Sequence, residues 1–176
     1  MHIILGLTAL VTALVVIWMR IRAAREIGGE VIDAADDLRA NVRRLMYRRK
    51  HDKHPADVVD DPRLAASGIA VAVATMDAPI SQQEIESLTR LSREIFEVSE
   101  REALDIVSFG RWVAGQCNTN HEAVRRLVKV VANKAGPDAG PDLIRMITEV
   151  ATAGGYVLGE EENDALETVR RSLQMA

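Results

Sequence analysis

The longest hydrophobic stretch in the chain lies at the amino terminus, where residues 3–19 contain no charged side chain. A helix of this length rises roughly 25 Å, which is close to the shortest length that crosses the hydrocarbon core of a bilayer. Trp18 falls at the end of the stretch, where an indole favours the headgroup boundary, and Arg20 and Arg22 can extend their charges toward water. The pattern predicts a single transmembrane anchor within residues 1–25.

A secretory signal peptide is the alternative explanation of this stretch. It would carry basic residues before the apolar run and a small-residue cleavage site after it. In this chain Met1 and His2 precede the run, whereas Arg20, Arg22 and Arg25 follow it. This order is the reverse of a signal peptide's, and it favours an anchor that is not cleaved.

A second hydrophobic pattern, with a helical period, follows through residues 26–54. Its apolar residues recur at steps of three and four, which predicts a basic amphipathic neck helix with one apolar stripe: Val31, Ile32, Ala35, Leu38, Val42, Leu45 and Met46. Such a stripe must be buried on the globular body, on a partner helix or in the membrane surface. If the partner helix is the neck of a second copy, the protein forms a homo-oligomer through the neck. Residues 55–62 are polar and hold two prolines, which predicts a linker.

The remainder of the chain, residues 63–176, carries the patterns of an all-α helical bundle. A hydroxyl residue stands three positions before a glutamate in the order of a capping box at three places: Ser81–Glu84, Ser99–Glu102 and Thr119–Glu122. No run alternates apolar and polar residues as a strand would. Helices are predicted at about residues 63–76, 82–96, 100–115, 120–134, 141–153 and 159–174. The first is hydrophobic on all sides, so it is expected to be central and buried.

Charge divides the chain into a basic neck and an acidic body. Residues 20–54 contain ten Lys or Arg and six Asp or Glu, so they contribute +4 to a total of −4, and residues 55–176 contribute −8. Basic residues beside a membrane helix stay in the cytoplasm, which predicts an inner-membrane protein with its amino terminus outside and its body inside. The lone Cys117 suits a reducing compartment. The neck is either drawn to anionic lipid or merely solvated, and the acidic body is not expected to bind nucleic acid.

Motifs for catalysis are absent from the sequence. There is no glycine-rich phosphate loop, no nucleophile elbow, no Cys-x-x-Cys pair and no His-Glu-x-x-His. The spacing of His51 and His54 could hold a metal only with further ligands, and we interpret both as solvated polar residues. The protein is therefore not expected to be an enzyme.

A short internal repeat indicates two similar helix–turn–helix units. In each copy a Val-Ala-Thr triplet ends a helix, an aliphatic residue follows, and then a glutamate: residues 73–75 with Ile80 and Glu84, and residues 150–152 with Val157 and Glu161. A true repeat would give the domain pseudo-twofold symmetry and let the two turns approach each other. A chance match is the alternative.

At these residues the sequence resembles the tellurite-resistance TerB family, which includes the amino-terminal domain of the membrane-anchored DnaJ-like co-chaperone DjlA. The family pattern Asp-Gly-x-Ile-x-x-x-Glu occurs at two helix–helix turns of an all-helical domain. The matching residues here are Asp77, Ile80 and Glu84 in the first turn and Gly155, Val157 and Glu161 in the second. The resemblance spans about residues 64–174. No J-domain is expected, because His54-Pro55 continues with Ala56 where a J-domain has aspartate.

The resemblance implies a cytoplasmic domain at the membrane that serves metal or tellurite stress or protein assembly. It also implies a divalent-cation site in the acidic turns. Ala78 replaces the first glycine and Gly154 the second aspartate, so carboxylates remain at three motif positions: Asp77, Glu84 and Glu161. Weak binding of Ca²⁺ or Mg²⁺ is one interpretation of these residues, and helix capping is the other.

Together these patterns predict a single-pass membrane protein whose TerB-like domain is a binding or scaffolding module. The alternative function is a weak divalent-cation sensor that signals through the neck helix. No cofactor is expected apart from such a cation, and the residues do not identify the protein partner.

Overall fold

The computed structural model describes residues 54–174, and these residues form six α-helices with no β-strand among them. The helices are α1 (Pro62–Ala74), α2 (Gln82–Phe96), α3 (Glu100–Ala114), α4 (Asn120–Lys134), α5 (Gly140–Ala151) and α6 (Glu160–Gln174). The all-α prediction is confirmed. Each predicted helix is present, and its ends differ from the expected positions by about two residues or less, which is the usual uncertainty of a helix boundary.

The predicted anchor at residues 1–25 and nearly all of the predicted neck helix lie outside the described residues. Within residues 54–174 no helix is both long enough and apolar enough to cross a bilayer. The membrane anchor, its orientation and the neck helix therefore stay predictions from the sequence.

Helix α1 is the central element of the bundle. Every residue from Ala65 to Ala74 is buried, as the continuous small and apolar sequence predicts. The Asp61 carboxylate begins the helix by accepting a hydrogen bond from the backbone N–H of Arg63 (2.9 Å), and Pro62 occupies the first turn, where its missing N–H has no partner to lose. Helices α2, α3, α4 and α5 all pack on α1, so the core surrounds it.

Helices α1 and α3 cross closely because both carry small residues at their contact. A Cβ atom added at Gly110 in α3 would lie 2.8 Å from the carbonyl carbon of Ser67 and 2.9 Å from the backbone nitrogen of Gly68, both in α1. Backbone atoms cannot rotate away as a side chain can, so a larger residue would force the helices apart. Gly110 is therefore required by the packing of the two helices.

Contacts between helix termini distinguish the two ends of the bundle. At one end Arg63, at the start of α1, forms an ion pair with Glu102, at the start of α3 (3.0 Å). At the other end Asn120, at the start of α4, donates a hydrogen bond to the carbonyl of Thr75, which follows α1 (2.8 Å). We name this second end, which holds the α1–α2 turn, the turn end.

Residues 55–61, predicted as a linker, form a strap packed against the bundle. Pro55–Val58 is a short 3-10 helix that packs on α4, and both Ala56 and Val59 are buried. Asp57 forms an ion pair with Arg126 of α4 (2.7 Å). The sequence does not indicate this packing because two small apolar residues in a short polar stretch establish no period.

His54, interpreted from the sequence as a solvated residue, makes a hydrogen bond at each ring nitrogen. Nδ1 accepts from the backbone N–H of Ala56 (3.2 Å), and Nε2 lies 3.1 Å from the carbonyl oxygen of Gln116, just after α3. Both contacts require the tautomer that carries its proton on Nε2. The strap is thereby attached at its start to the turn end of the bundle.

The predicted capping boxes are complete at one of three places. In α2 the Ser81 hydroxyl accepts from the backbone N–H of Glu84 (3.3 Å), and the Glu84 carboxylate accepts from the backbone N–H of Ser81 (2.6 Å). Helices α3 and α4 keep only the hydroxyl bond. The Glu102 carboxylate pairs with an arginine instead, and the Glu122 carboxylate pairs with an arginine and accepts from the backbone N–H of Asn118, one residue before the cap, so neither helix has the complete box that was predicted.

Candidate functional site

The turn after α1 and the turn after α5 meet at the turn end of the bundle. A Cβ atom added at Gly159 would lie 3.3 Å from the Asp77 carboxylate oxygen Oδ2, and one added at Gly154 would collide with Oε1 of Gln83. The two glycines belong to the second turn, whereas Asp77 and Gln83 belong to the first. The predicted approach of the two turns is confirmed, and we name these segments, residues 75–84 and 152–162, the paired turns.

Both turns are closed by the same two kinds of side-chain contact. The hydroxyls of Thr75 and Thr152 each donate to a carbonyl four residues earlier, at 2.8 and 2.7 Å. The carboxylates of Glu84 and Glu162 each accept from the backbone N–H three residues earlier. Both glutamates are buried, with 6% and 8% of their surface exposed. A buried carboxylate needs such a hydrogen bond, and the positive end of the following helix dipole favours its charge.

In the structure, the later residues of the second repeat copy correspond to the first copy one position further along than the sequence predicts. The two threonines are 77 positions apart, whereas the two buried glutamates are 78 positions apart, so the second turn is one residue longer. Glu161, predicted to match Glu84, is exposed, and Val157, predicted to match an aliphatic residue packed on the core, is 89% exposed. Leu158 packs against the core and Glu162 closes the turn, so these two residues take the matching positions.

The structure does not bring the three predicted metal ligands together. Within residues 54–174 no group of three or more His, Cys, Asp or Glu side chains is placed to hold a metal ion. Asp77 is exposed, Glu84 caps α2, and Glu161 is exposed. The oxygens that do converge are Asp77 Oδ2 and Glu162 Oε2, at 3.3 and 3.4 Å from a Cβ added at Gly159. Two carboxylates would leave water or carbonyl oxygens to supply most of the about six to eight ligands of Ca²⁺.

The second turn projects an apolar tip into solvent. Tyr156 and Val157 are 64% and 89% exposed, more than any other large hydrophobic residue in the part of the chain that the structure describes. Gly154 and Gly155 precede them with φ of 91° and 85°, a backbone conformation that favours glycine. The sequence analysis matched Val157 to Ile80, which packs against the core, although the glycine pair before Val157 was an available indication of a sharp, exposed turn.

The surface around this apolar tip is acidic. Asp77, Glu160 and Glu161 are exposed in the paired turns, and neither turn contains a lysine or an arginine. The paired turns therefore combine exposed apolar side chains with a net negative charge of their own.

An ion-pair network fixes the two helices that adjoin the paired turns. Arg90 of α2 and Arg145 of α5 both bind the Glu149 carboxylate at 2.9 Å, and Arg145 also pairs with Glu94. Hydrogen bonds from Arg90 and from Arg145 lower the pKa of Glu149 below its ordinary value of 4.5. Exposed ion pairs contribute little singly, but this set connects α2 and α5 directly.

The lone cysteine also lies at the turn end, just after α3. Burial and the nearby carboxylate of Glu122 raise the pKa of the Cys117 thiol above its ordinary value of 9.0. Because the thiolate is the reactive form, Cys117 is a poor nucleophile and a poor metal ligand.

The described residues thus form an all-α bundle in which two capped turns of similar construction meet at one end. Residues 63–176, more than half of the chain, match the family described as tellurite resistance protein TerB. The chain belongs to the TerB family, as its resemblance in the paired turns predicted. No curated protein and no solved structure matches the chain significantly.

Proposed function

We propose that this protein is a membrane-anchored TerB-family module that binds or scaffolds a protein partner in the cytoplasm, and that the paired turns are its binding surface. The observation that carries the proposal is the exposure of Tyr156 and Val157 on a turn whose two ends are closed by partly buried hydrogen bonds. A rigid turn loses little conformational freedom on binding, so apolar contact area on it converts efficiently into affinity. In this family such binding would serve metal or tellurite stress or protein assembly.

The charge of the paired turns indicates the chemistry of the partner. With Asp77, Glu160 and Glu161 exposed and no basic residue in either turn, a complementary surface carries an apolar pocket with lysine or arginine at its rim. The pocket receives the tip, and the basic rim steers the encounter.

Binding accounts for this site better than catalysis does. Glu84 and Glu162 are buried and already accept backbone N–H groups, so neither is free to exchange protons with a substrate. Asp77 is exposed, and the raised pKa of Cys117 makes that thiol a weak nucleophile. A non-enzymatic module is therefore part of the proposal.

The experiment is affinity capture of the full-length protein from its solubilised native membrane, quantified by mass spectrometry. Val157→Asp should lose the specifically captured protein, because it places a charge where the partner's apolar pocket is expected. The matched control is Leu104→Asp, which changes another exposed large hydrophobic residue, on α3 and outside the paired turns. Equal capture by Val157→Asp and the unaltered protein would show that the paired turns are not the binding surface.

The membrane part of the proposal is supported by the charges that follow residue 19. Ten Lys or Arg lie between Arg20 and His54, which is the bias expected of a cytoplasmic flank. A reporter fused after Ala176 should be active in the cytoplasm only. Periplasmic activity, or a mature amino terminus that begins after residue 20, would contradict the orientation.

A weak divalent-cation sensor that signals through the neck helix is the second candidate, favoured by the convergence of Asp77 and Glu162 beside Gly159. With few ligands we expect a Kd of about 1 mM or weaker. Ca²⁺ at about 1 mM would then stabilise the fold by about 0.4 kcal/mol or less. Calorimetry of the full-length protein with Ca²⁺ measures this effect, and Asp77→Asn should remove it. A shift of many degrees that disappears in Asp77→Asn would favour the sensor over the binding module.

A further inference from the structure

An apolar groove lies at the end of the bundle opposite the paired turns. It has a volume of about 190 Å³ and is formed where α1 and α5 begin and where α2 and α4 end. Nine of its eleven lining residues are apolar: Pro62, Ala66, Ile95, Phe96, Val131, Ala135, Ala139, Leu143 and Met146. The other two are Arg63 and Asp142.

The size of the groove indicates the kind of group that fills it. Sites for small organic ligands usually enclose about 300–1,000 Å³, whereas a cavity of about 150 Å³ admits a molecule of the size of benzene. The groove therefore has room for one or two aliphatic or aromatic side chains. An amphipathic helix that lies across a groove and inserts its apolar anchors is a common way to deliver them.

The chain itself contains a segment of this chemistry just before the described residues. Residues 31–46 carry the apolar stripe predicted from the sequence, and an amphipathic helix is expected to bury such a stripe. The groove begins at Pro62, only sixteen positions after Met46. Because the segment belongs to the same chain, it is held close to the groove and can dock there without a diffusional encounter between two molecules.

The connecting chain is long enough to reach. The strap runs beside α4, where Asp57 pairs with Arg126 and Asp60 with Lys134, and its start at His54 is bonded to Gln116 at the turn end, so His54 and the groove lie about the length of α4 apart. The 15 residues of α4, Asn120–Lys134, rise roughly 22 Å. The sixteen steps of the predicted neck helix from Leu38, on the stripe, to His54 rise roughly 24 Å, which covers that distance.

Electrostatic complementarity also favours the neck as the segment that fills the groove. Residues 39–53 contain seven Lys or Arg and one Asp, so the part of the neck that includes the end of the stripe contributes +6, whereas residues 55–176 contribute −8. Exposed acidic residues lie in and next to the lining: Asp142 belongs to it, and Asp138 and Glu97 each adjoin a lining residue in the chain, whereas Lys134, next to Ala135, is paired with Asp60. The one basic lining residue, Arg63, is already paired with Asp61 and Glu102, so it does not repel an incoming basic helix.

We propose that the apolar stripe of residues 31–46 docks in this groove within the same chain and fixes the TerB domain against the membrane-proximal helix. The inference is independent of the paired turns, which lie at the other end of the bundle. It makes the groove an internal docking site, and it leaves the turn end free to face a partner.

Site-directed crosslinking of the full-length protein tests this docking. In a Cys117→Ser background, Ile95→Cys is combined with Leu38→Cys or Val42→Cys on the stripe, or with Arg39→Cys on the opposite face as control. The protein is placed in nanodiscs with one chain per disc and treated with a short bismaleimide. We expect an intramolecular crosslink for at least one stripe position, formed about tenfold faster than for the control, because docking raises the local concentration of the two thiols.

A pair of charge variants ties the crosslink to the groove. Ala135→Arg places a cation in the groove lining, whereas Asn133→Arg places the same cation nearby on α4 outside the lining. Ala135→Arg should lower the crosslinking rate about fivefold or more, equivalent to roughly 1 kcal/mol of lost docking, and Asn133→Arg should not. Each of three results would overturn the proposal. Crosslinking could be equally fast at the stripe and control positions, it could be unaffected by Ala135→Arg, or it could occur only between two chains in discs that hold more than one.

Discussion

Replacement of Glu162 by alanine should destabilise the domain far more than the same replacement of its neighbour Glu161. The Glu162 carboxylate is buried and accepts the backbone N–H of Gly159, immediately before α6. A hydrogen bond to a charged group contributes about 1.5–3 kcal/mol, and a carboxylate at a helix start contributes about 0.3–1 kcal/mol more. The higher helix propensity of alanine returns about 0.5 kcal/mol. The expected net loss for Glu162→Ala is therefore about 2 kcal/mol.

The control removes the same charge one position earlier. Glu161 is exposed and can lose only its interaction with the helix dipole, so Glu161→Ala should cost about 0.5 kcal/mol. At about 4 °C per kcal/mol for a domain of this size, Tm should fall by about 8 °C for Glu162→Ala and by about 2 °C for Glu161→Ala. Thermal unfolding followed by circular dichroism measures both. Equal losses, or a larger loss for Glu161→Ala, would refute the assignment of Glu162 as the counterpart of Glu84 and restore the alignment expected from the sequence.

Three further predictions concern packing, pH and thiol reactivity. Gly110→Ala should destabilise the fold by about 1–3 kcal/mol in urea titrations, because the new Cβ meets backbone atoms of α1. The control is Gly115→Ala, which should be neutral or stabilising, because Gly115 has φ of −69° and its added Cβ has no atom nearer than 3.4 Å. The lowered pKa of Glu149 stabilises the fold at pH values above its ordinary value of 4.5, and this stabilisation is lost as pH falls through the lowered pKa. The difference in free energy of unfolding between the unaltered protein and Glu149→Gln should therefore close below about pH 4.5. A difference that stays constant with pH would contradict the network. Cys117 should react with iodoacetamide at neutral pH more slowly than a free cysteine does, and denaturation should abolish the difference.

The helices were predictable because their information is local. Ser81 and Glu84 close a capping box within four residues, and the small apolar sequence from Ala65 to Ala74 describes a helix buried on every side. Neither conclusion depends on knowing what the helix packs against. The family resemblance was equally local, since it depended on short motifs at two turns.

The site was less predictable because it depends on register and on distant contacts. Glu160, Glu161 and Glu162 form a run of three identical side chains, and only the three-dimensional course of the turn selects the one that reaches back to Gly159. The capping choices of Glu102 and Glu122 were hidden for a similar reason, since they depend on which arginine lies within reach. The apolar groove was out of reach altogether, because it forms from the termini of four helices far apart in the sequence.

The two turns have the same closure but different courses, and this difference bears on which of them is functional. Glu97 is the one non-glycine residue among positions 54–174 with a positive φ, so Ala78, where the family has glycine, keeps an ordinary backbone and costs the first turn nothing. The second turn is one residue longer and keeps two glycines with positive φ, at Gly154 and Gly155. A turn that served only to connect α5 and α6 could have been as short and as regular as the first. The extra residue instead places Tyr156 and Val157 in solvent on a turn that also carries exposed glutamates, which is the arrangement expected where binding rather than stability determines the sequence.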